Sequence, residues 1–450
     1  MAAAALALLL GTPALANDSS DDHEAPSLDE EPVVPREDPV QQQIAELRER
    51  LKESEEAQRN AKSPLTFRGY ADLGFFVPRG NGGAGWVRDA GHVQFPQYSN
   101  YAWTFLGDIL ATTVNSRGEV ADLGEAPGVD RFDSIHSGGA PGFLVNEVNM
   151  RVAYAASDRA VLRSSVNFMP RAGQSFSIGD FMELDQADLE YVVTKDGKTS
   201  IFAGKSLPTF GIEYKDRKSD QRFGVTPSLV ERYTSGTQLG LKIRSKLLAD
   251  WVILAASVTN GSSVTEQFHF SSEVALHTGK TLNGRAALNI PVGQAISFLS
   301  GDRLEIGGSG EWGPQDRATD NGGDMWFAGV DVQYISSNFT LKAQGIRGGS
   351  PGRYVDGAWG LKLKNSGYVE LNVLPIGNLG LVLRAEARDA LVTLGTERAY
   401  LTKEARFTGG LRYAFNSNIT LKAEYLHNKE FGGIAEFMND VFTSSLVLGF

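Results

Sequence analysis

The chain contains no cysteine, which excludes a disulfide scaffold, a thiolate zinc site and a cysteine nucleophile together. It also lacks any apolar run of the roughly 18 residues that a membrane-crossing helix requires. With a mean hydropathy of -0.20, a polytopic helical membrane protein is excluded. Positive charge is in deficit: 43 Lys and Arg stand against 54 Asp and Glu, a formal net charge of -11, so nucleic acid is not the main partner. What the chain has in excess is glycine, 50 of 450 residues, where average usage of about 7 % would supply far fewer. Glycine at that density points to many tight turns between strands. The 42 % hydrophobic and 22 % charged content excludes a wholly disordered chain.

The first 16 residues, ending Thr12-Pro13-Ala14-Leu15-Ala16, combine an apolar core with an A-x-A site and read as a signal peptide without the usual basic n-region. An exported protein is expected. Residues 17–39 are rich in Asp, Glu and Ser and carry Pro26, Pro32, Pro35 and Pro39, the composition of a disordered acidic linker. Val40, Ile44, Leu47 and Leu51 then recur at helical spacing, so residues 40–62 are expected to form a short periplasmic helix or coiled coil, either solvated or an oligomerisation stalk. Residues 17–62 hold fourteen acids against six bases, which leaves a net charge of only about -3 for the rest.

From residue 64 onward the texture becomes alternation of apolar and polar residues, the period of a β-strand. In Arg406-Phe407-Thr408-Gly409-Gly410-Leu411-Arg412-Tyr413-Ala414-Phe415, one face takes Phe407, Leu411, Tyr413 and Phe415 and the other takes Arg406, Thr408 and Arg412. Sixteen such segments are predicted, at 66–77, 143–156, 160–171, 181–194, 199–207, 236–246, 250–259, 280–292, 301–313, 324–336, 339–348, 358–374, 379–390, 403–415, 418–428 and 440–450. Their connections alternate between compact and long, the longest spanning 78–142. An even count with that alternation is expected of a closed transmembrane antiparallel barrel, all-β, over residues 64–450. Fourteen and eighteen strands are the neighbouring possibilities.

The final strand places Phe442, Leu446, Leu448 and the terminal Phe450 on one face. An aromatic end to an alternating strand resembles the signal that the barrel assembly machinery reads, so these four residues are assigned to assembly in the bacterial outer membrane. Gly204-Lys205-Ser206-Leu207-Pro208-Thr209-Phe210-Gly211-Ile212-Glu213, followed by Pro227-Ser228-Leu229-Val230-Glu231-Arg232, resembles the central motif of the phosphate-selective (O/P-type) porin family, with Thr209 set between Pro208 and Phe210. The short helix before a first strand Thr66-Phe67-Arg68-Gly69-Tyr70-Ala71-Asp72 and the terminal Phe450 are similar too. The resemblance implies a homotrimeric outer-membrane channel for small anions, with Glu231 and Arg232 in a loop lining the pore.

Gly80-Asn81-Gly82-Gly83-Ala84-Gly85 matches G-x-G-x-x-G, but Trp86-Val87-Arg88-Asp89 opens no phosphate-binding helix, so it reads as a loop. The six histidines, His23, His92, His136, His269, His277 and His427, have no metal-ligand spacing, and no metal or cofactor is expected. His136 beside Ser134 and Ser137 is the one place for an outer-membrane hydrolase, with nothing in the sequence to orient it. Asp316, Asp320, Asn321 and Asp324 make an oxygen-rich loop suited to calcium, to lipopolysaccharide through divalent ions, or simply to solvent.

Three functions follow from different classes: a passive diffusion channel for small hydrophilic solutes, a closed structural or adhesive barrel, and, least supported, an outer-membrane hydrolase. Sixteen strands favour the channel, because a barrel that wide is not filled by wall side chains alone. The 78–142 loop is the candidate constriction, since Tyr101-Ala102-Trp103-Thr104-Phe105 is too apolar to sit in solvent. Assigning polar faces inward gives a mixed but net basic wall, hence a mild preference for anions, phosphate among them. The bases assigned to that role are Lys205, Arg384, Arg388, Arg406 and Arg412, with Glu231 and Arg232 facing them from the loop. Lipid, lipopolysaccharide and small anionic solutes are the expected partners.

Overall fold

The structure, a computed structural model, describes residues 64–78, 86–87, 104–105, 141–168, 182–260, 280–295, 301–314, 324–350, 359–394, 397–430 and 440–450. The expected signal peptide, acidic linker and helix at 1–62 lie outside the described residues. So do Gly80–Gly85, His136 with its flanking serines, the oxygen-rich loop apart from Asp324, and the 78–142 loop apart from a two-residue bridge between Trp86–Val87 and Thr104–Phe105.

Sixteen strands form the barrel: β1 (Leu65–Pro78), β2 (Gly142–Ser157), β3 (Ala160–Phe168), β4 (Met182–Val192), β5 (Thr199–Ser206), β6 (Gln238–Leu247), β7 (Val252–Thr259), β8 (Thr281–Pro291), β9 (Arg303–Pro314), β10 (Asp324–Ile335), β11 (Phe339–Ser350), β12 (Trp359–Ile376), β13 (Leu379–Leu394), β14 (Glu397–Ala414), β15 (Ile419–Glu430) and β16 (Val441–Gly449). Each pairs antiparallel with its sequence neighbours, and β1 pairs with β16 to close the ring. Closure leaves no strand edge facing lipid, where an unpaired backbone group would cost several kcal/mol. The strand segments match those expected from alternation, except that β13 and β14 run further, to Leu394 and from Glu397. There the Thr and Glu content of 393–402 reads as loop, while the ladder between the two strands continues through Leu394 and Glu397.

Alternation sorts side chains as a barrel in lipid requires. Phe67, Leu241, Val330, Leu383 and Phe407 are exposed on the outer face, while Asp72, Asn149, Asp188, Arg285, Asp331, Glu386 and Glu424 are buried inside. Exposed aromatic residues gather at both rims. Tyr154, Tyr191, Trp251, Tyr413 and Phe415 lie at the short-turn end, and Phe143, Trp312 and Trp326 at the long-loop end. Such paired girdles mark the two interfaces of a membrane, and short turns belong to the periplasmic side. The protein is therefore a transmembrane β-barrel of the bacterial outer membrane.

The terminal residue has a structural role at the seam. The Phe450 N–H donates to the Gly69 carbonyl at 3.0 Å and its own carbonyl accepts from the Gly69 N–H at 2.9 Å. Phe442, Leu446, Leu448 and Phe450 share the outward row of β16, with Thr443, Ser445 and Val447 buried on the other side. Gly69 is bare because a Cβ there would overlap the Phe450 ring and the Asn149 carbonyl. Two outcomes are expected. Deleting Phe450 should lower the amount of heat-modifiable barrel in the membrane, whereas normal levels would exclude an assembly role for that residue. Gly69→Val should produce the same defect with the C-terminus intact.

Candidate functional site

Among the described residues, one connection turns into the barrel interior: residues 207–237 between β5 and β6. Its apolar side chains Phe210, Ile212, Val225, Leu229, Val230 and Tyr233 are all buried, at about 1.5–3 kcal/mol for each large apolar side chain fully removed from water. Gly211, with φ of +66°, makes the left-handed bend that leads into the short turn Glu213–Asp216. Any side chain there would also strike the Gln344 amide.

The descending limb runs along one wall. Thr209 Oγ1 lies 3.4 Å from Ser257 Oγ on β7. The Gly211 N–H donates to Ser309 Oγ on β9 at 3.0 Å, and the Ile212 N–H to Gln344 Oε1 on β11 at 3.0 Å. The chain then crosses the lumen. Lys215 pairs with Glu305 on β9 at 3.2 Å, and Asp216 accepts from Lys342 on β11. The next two residues reach the other side: Arg217 and Lys218 pair with Asp185 on β4 at 2.5 and 2.8 Å. Strands β4 and β11 stand seven places apart in a ring of sixteen, so residues 215–218 form a strut near the diameter.

Beyond the strut the loop lies on β1 and β13 to β15. Lys422 donates to the carbonyls of Ser219, Arg222 and Gly224, the first two at 2.5 Å. Glu424 accepts from the Val225 and Thr226 N–H groups at 2.8 and 2.9 Å and from the Thr226 hydroxyl at 2.8 Å. Arg384 donates to the Thr226 and Pro227 carbonyls at 2.9 and 3.1 Å, and Arg406 to Pro227 at 2.7 Å. Glu386 joins these two arginines at 3.0 and 2.6 Å and accepts from the Leu229 N–H at 2.5 Å. Backbone groups of an irregular loop inside a membrane protein need partners, and here wall charges supply them.

These contacts place the residues expected at the pore. Arg384, Arg388 and Arg406 are buried, at 4, 1 and 3 % exposure, and at least two of them bond the loop. Arg412 is half-buried with its guanidinium 5.4 Å from the Phe223 ring. Glu231 is buried in the loop's second short turn and accepts from Ser235, and Arg232 belongs to the same turn. Lys205 is a correction. It pairs across to Ala187 and Leu239, between inward Phe202 and Ser206, so strand parity puts it on the outer face. A one-residue error in phasing moves a side chain from lumen to lipid. The bulge in β12 between Leu363 and Gly367 resets the phase in the same way, setting Leu363 opposite Ala390 with its side chain buried.

Several site residues carried no motif: Asp185, Lys215, Lys218 and Lys342. The trace they leave is apolar residues where a wall should be polar, such as buried Phe327, Ile346, Val382 and Leu426 on inward rows. Among the described residues no group of three or more His, Asp or Glu is placed to hold a metal ion.

No known family model matches the sequence, and no curated protein does either. Solved structures match the fold. The anion-selective porin from Comamonas acidovorans is 11 % identical with a TM-score of 0.50, covering 86 % of this chain and 99 % of its own. The outer-membrane channel DcaP of Acinetobacter baumannii is 12 % identical at 0.48, covering 86 % and 97 %. OprB of Pseudomonas putida is 10 % identical at 0.48, covering 86 % and 94 %. The class is thus a closed sixteen-stranded barrel with the architecture of outer-membrane porins.

Burial and the neighbouring Glu231 carboxylate push the Glu213 carboxyl up to about 8, while Ser228 lies against it through both N–H and hydroxyl, at 2.9 and 2.6 Å. A carboxyl whose folded value is raised stabilises the docked loop below its unfolded value and loses that contribution as pH rises through the folded one. Protease protection of the loop in detergent should therefore fall as pH rises from about 4.5 to about 8, and Glu213→Gln should remove the dependence. Glu386→Ala should loosen the loop at every pH, by about 3–5 kcal/mol as for other broken buried ion pairs, read as faster amide exchange at Leu229.

Proposed function

We propose that the protein is a passive diffusion channel for small hydrophilic solutes, with a mild preference for anions, phosphate among them. The observation that carries this reading is the uneven filling of the lumen. Among the described residues, the part of the loop beyond the strut packs on β1 and β13 to β15, and cations that keep solvent exposure stand on β3, on β6 and on the strut. Arg163 and Arg244 are 34 and 46 % exposed in their side chains and Lys215 39 %. A partly open, charged wall backed by low dielectric focuses field on passing ions. In this reading Arg384 and Arg406 shape the passage by holding the loop, while Arg412, which keeps some exposure, acts on the ion itself. A homotrimer embedded among lipid and lipopolysaccharide is what the family resemblance implies, and the chain carries no enzymatic step.

A closed structural barrel is the second reading. It is favoured by the breadth of loop bonding, which reaches β1, β2, β3, β4, β7, β9, β11, β13, β14 and β15. Planar-bilayer recording separates the two. Stepwise conductance with a zero-current potential on the anion side in a potassium chloride gradient is expected. Bilayers that stay silent with folded protein would establish the closed barrel, and cation selectivity would remove the anion preference while keeping the channel. Arg384→Gln with Arg406→Gln should change conductance more than selectivity, because both side chains act through the loop.

A further inference from the structure

Near the short turns, the inward faces of β3 to β6 bring three cations to one aromatic ring. Arg163, Lys242 and Arg244 lie 5.6, 4.4 and 5.3 Å from the centroid of Phe202. Arg163 and Phe202 sit three residues into β3 and β5, and Arg244 three residues before the end of β6, all near the short turns. Two carboxylates face them. Glu190 pairs with Arg163 at 2.8 Å and with Arg244 at 3.4 Å, and Asp188 pairs with Arg163 at 3.1 Å. Lys242 has no ion pair among the described residues. Its ammonium donates to the Leu207 carbonyl at 2.7 Å and lies over the ring.

Three positive charges therefore share two negative ones. Like charges this close, on a wall backed by protein and lipid, repel one another unless an anion joins them. The donors for one are present. Nη1 of Arg163, and Nη1 and Nε of Arg244, take no acceptor among the described residues, and both side chains keep exposure to the lumen. Guanidinium forks match the oxygen pairs of phosphate and carboxylate, and an ammonium adds a point charge. Phe202 is itself 5 % exposed, so the ring positions the cations and leaves no face for a solute to stack on. The contrast with Arg384 and Arg406, which are buried and bonded to the loop, separates bases that hold structure from bases that remain available.

We propose that Arg163, Lys242 and Arg244, gathered around Phe202, form an oxyanion-binding site on the periplasmic wall of the lumen, taking the phosphate or carboxylate group of a small solute. As a step in permeation the site rests on the diffusion-channel reading, but as a binding site it does not. Its test is binding of inorganic phosphate to the folded, detergent-solubilised barrel, followed by broadening of the phosphorus resonance. Wild-type protein should broaden the signal, Lys242→Met and Arg244→Gln should each weaken the effect several-fold, and Lys242→Arg should keep it. Arg244→Gln changes a half-exposed side chain with a single ion pair, so it keeps the test open should Lys242→Met misfold, with heat-modifiable migration as the folding check. Acetate in excess should compete. No broadening by wild type, equal displacement by chloride, or full binding in folded Arg244→Gln would each overturn the site. A silent bilayer alongside phosphate binding would instead overturn only the channel reading.

Discussion

Everything in this structure depends on the requirement that backbone N–H and C=O groups find partners where no water is available. A sheet of alternating strands meets it only by closing on itself, and closure joins β1 to β16. The Gly69–Phe450 pair is the last step of that ladder. A glycine is required there because the aromatic end of the chain lies against it. The same requirement governs the interior, where an irregular loop has no ladder of its own and takes hydrogen bonds from charged side chains on the wall.

That second consequence changes the meaning of the lumen charges. Counted along the sequence, the arginines of β13 and β14 look like a basic surface awaiting anions. In three dimensions Arg384 and Arg406 are joined to Glu386 and to loop carbonyls, and Glu424 caps two loop N–H groups. A buried pair of this kind is costly to break and adds little net charge to its surroundings. Among the described residues the bases that keep solvent contact include Arg163 on β3, Arg244 on β6, Lys215 on the strut and Arg412 on β14.

The strut also divides labour within the loop. Residues 209–216 are tied to β7, β9 and β11, residues 217–220 to β1 through β4, and residues 222–229 to β13 through β15. Each limb is fixed at several points, so the loop is a rigid element rather than a free flap. Glu213 is the exception within it, a buried carboxyl held beside the Glu231 carboxyl and against Ser228.

The sequence alone determined the strand count, the alternation of short and long connections, the closed all-β class and the outward face of the last strand. These follow from a period of two, which is local and survives without any knowledge of partners. It also carried the Gly204–Glu213 and Pro227–Arg232 segments as a resemblance to a pore loop. Tertiary structure alone decided which face of a given strand points inward wherever a bulge or a glycine resets the phase, as for Lys205 and for Leu363 beside the β12 bulge. It alone decided that Asp185, Lys342, Glu386 and Glu424 hold the loop, because their partners are brought together by the curvature of the barrel across separations of 32 to 199 residues. Periodicity specifies a wall; what the wall touches depends on closure of the ring.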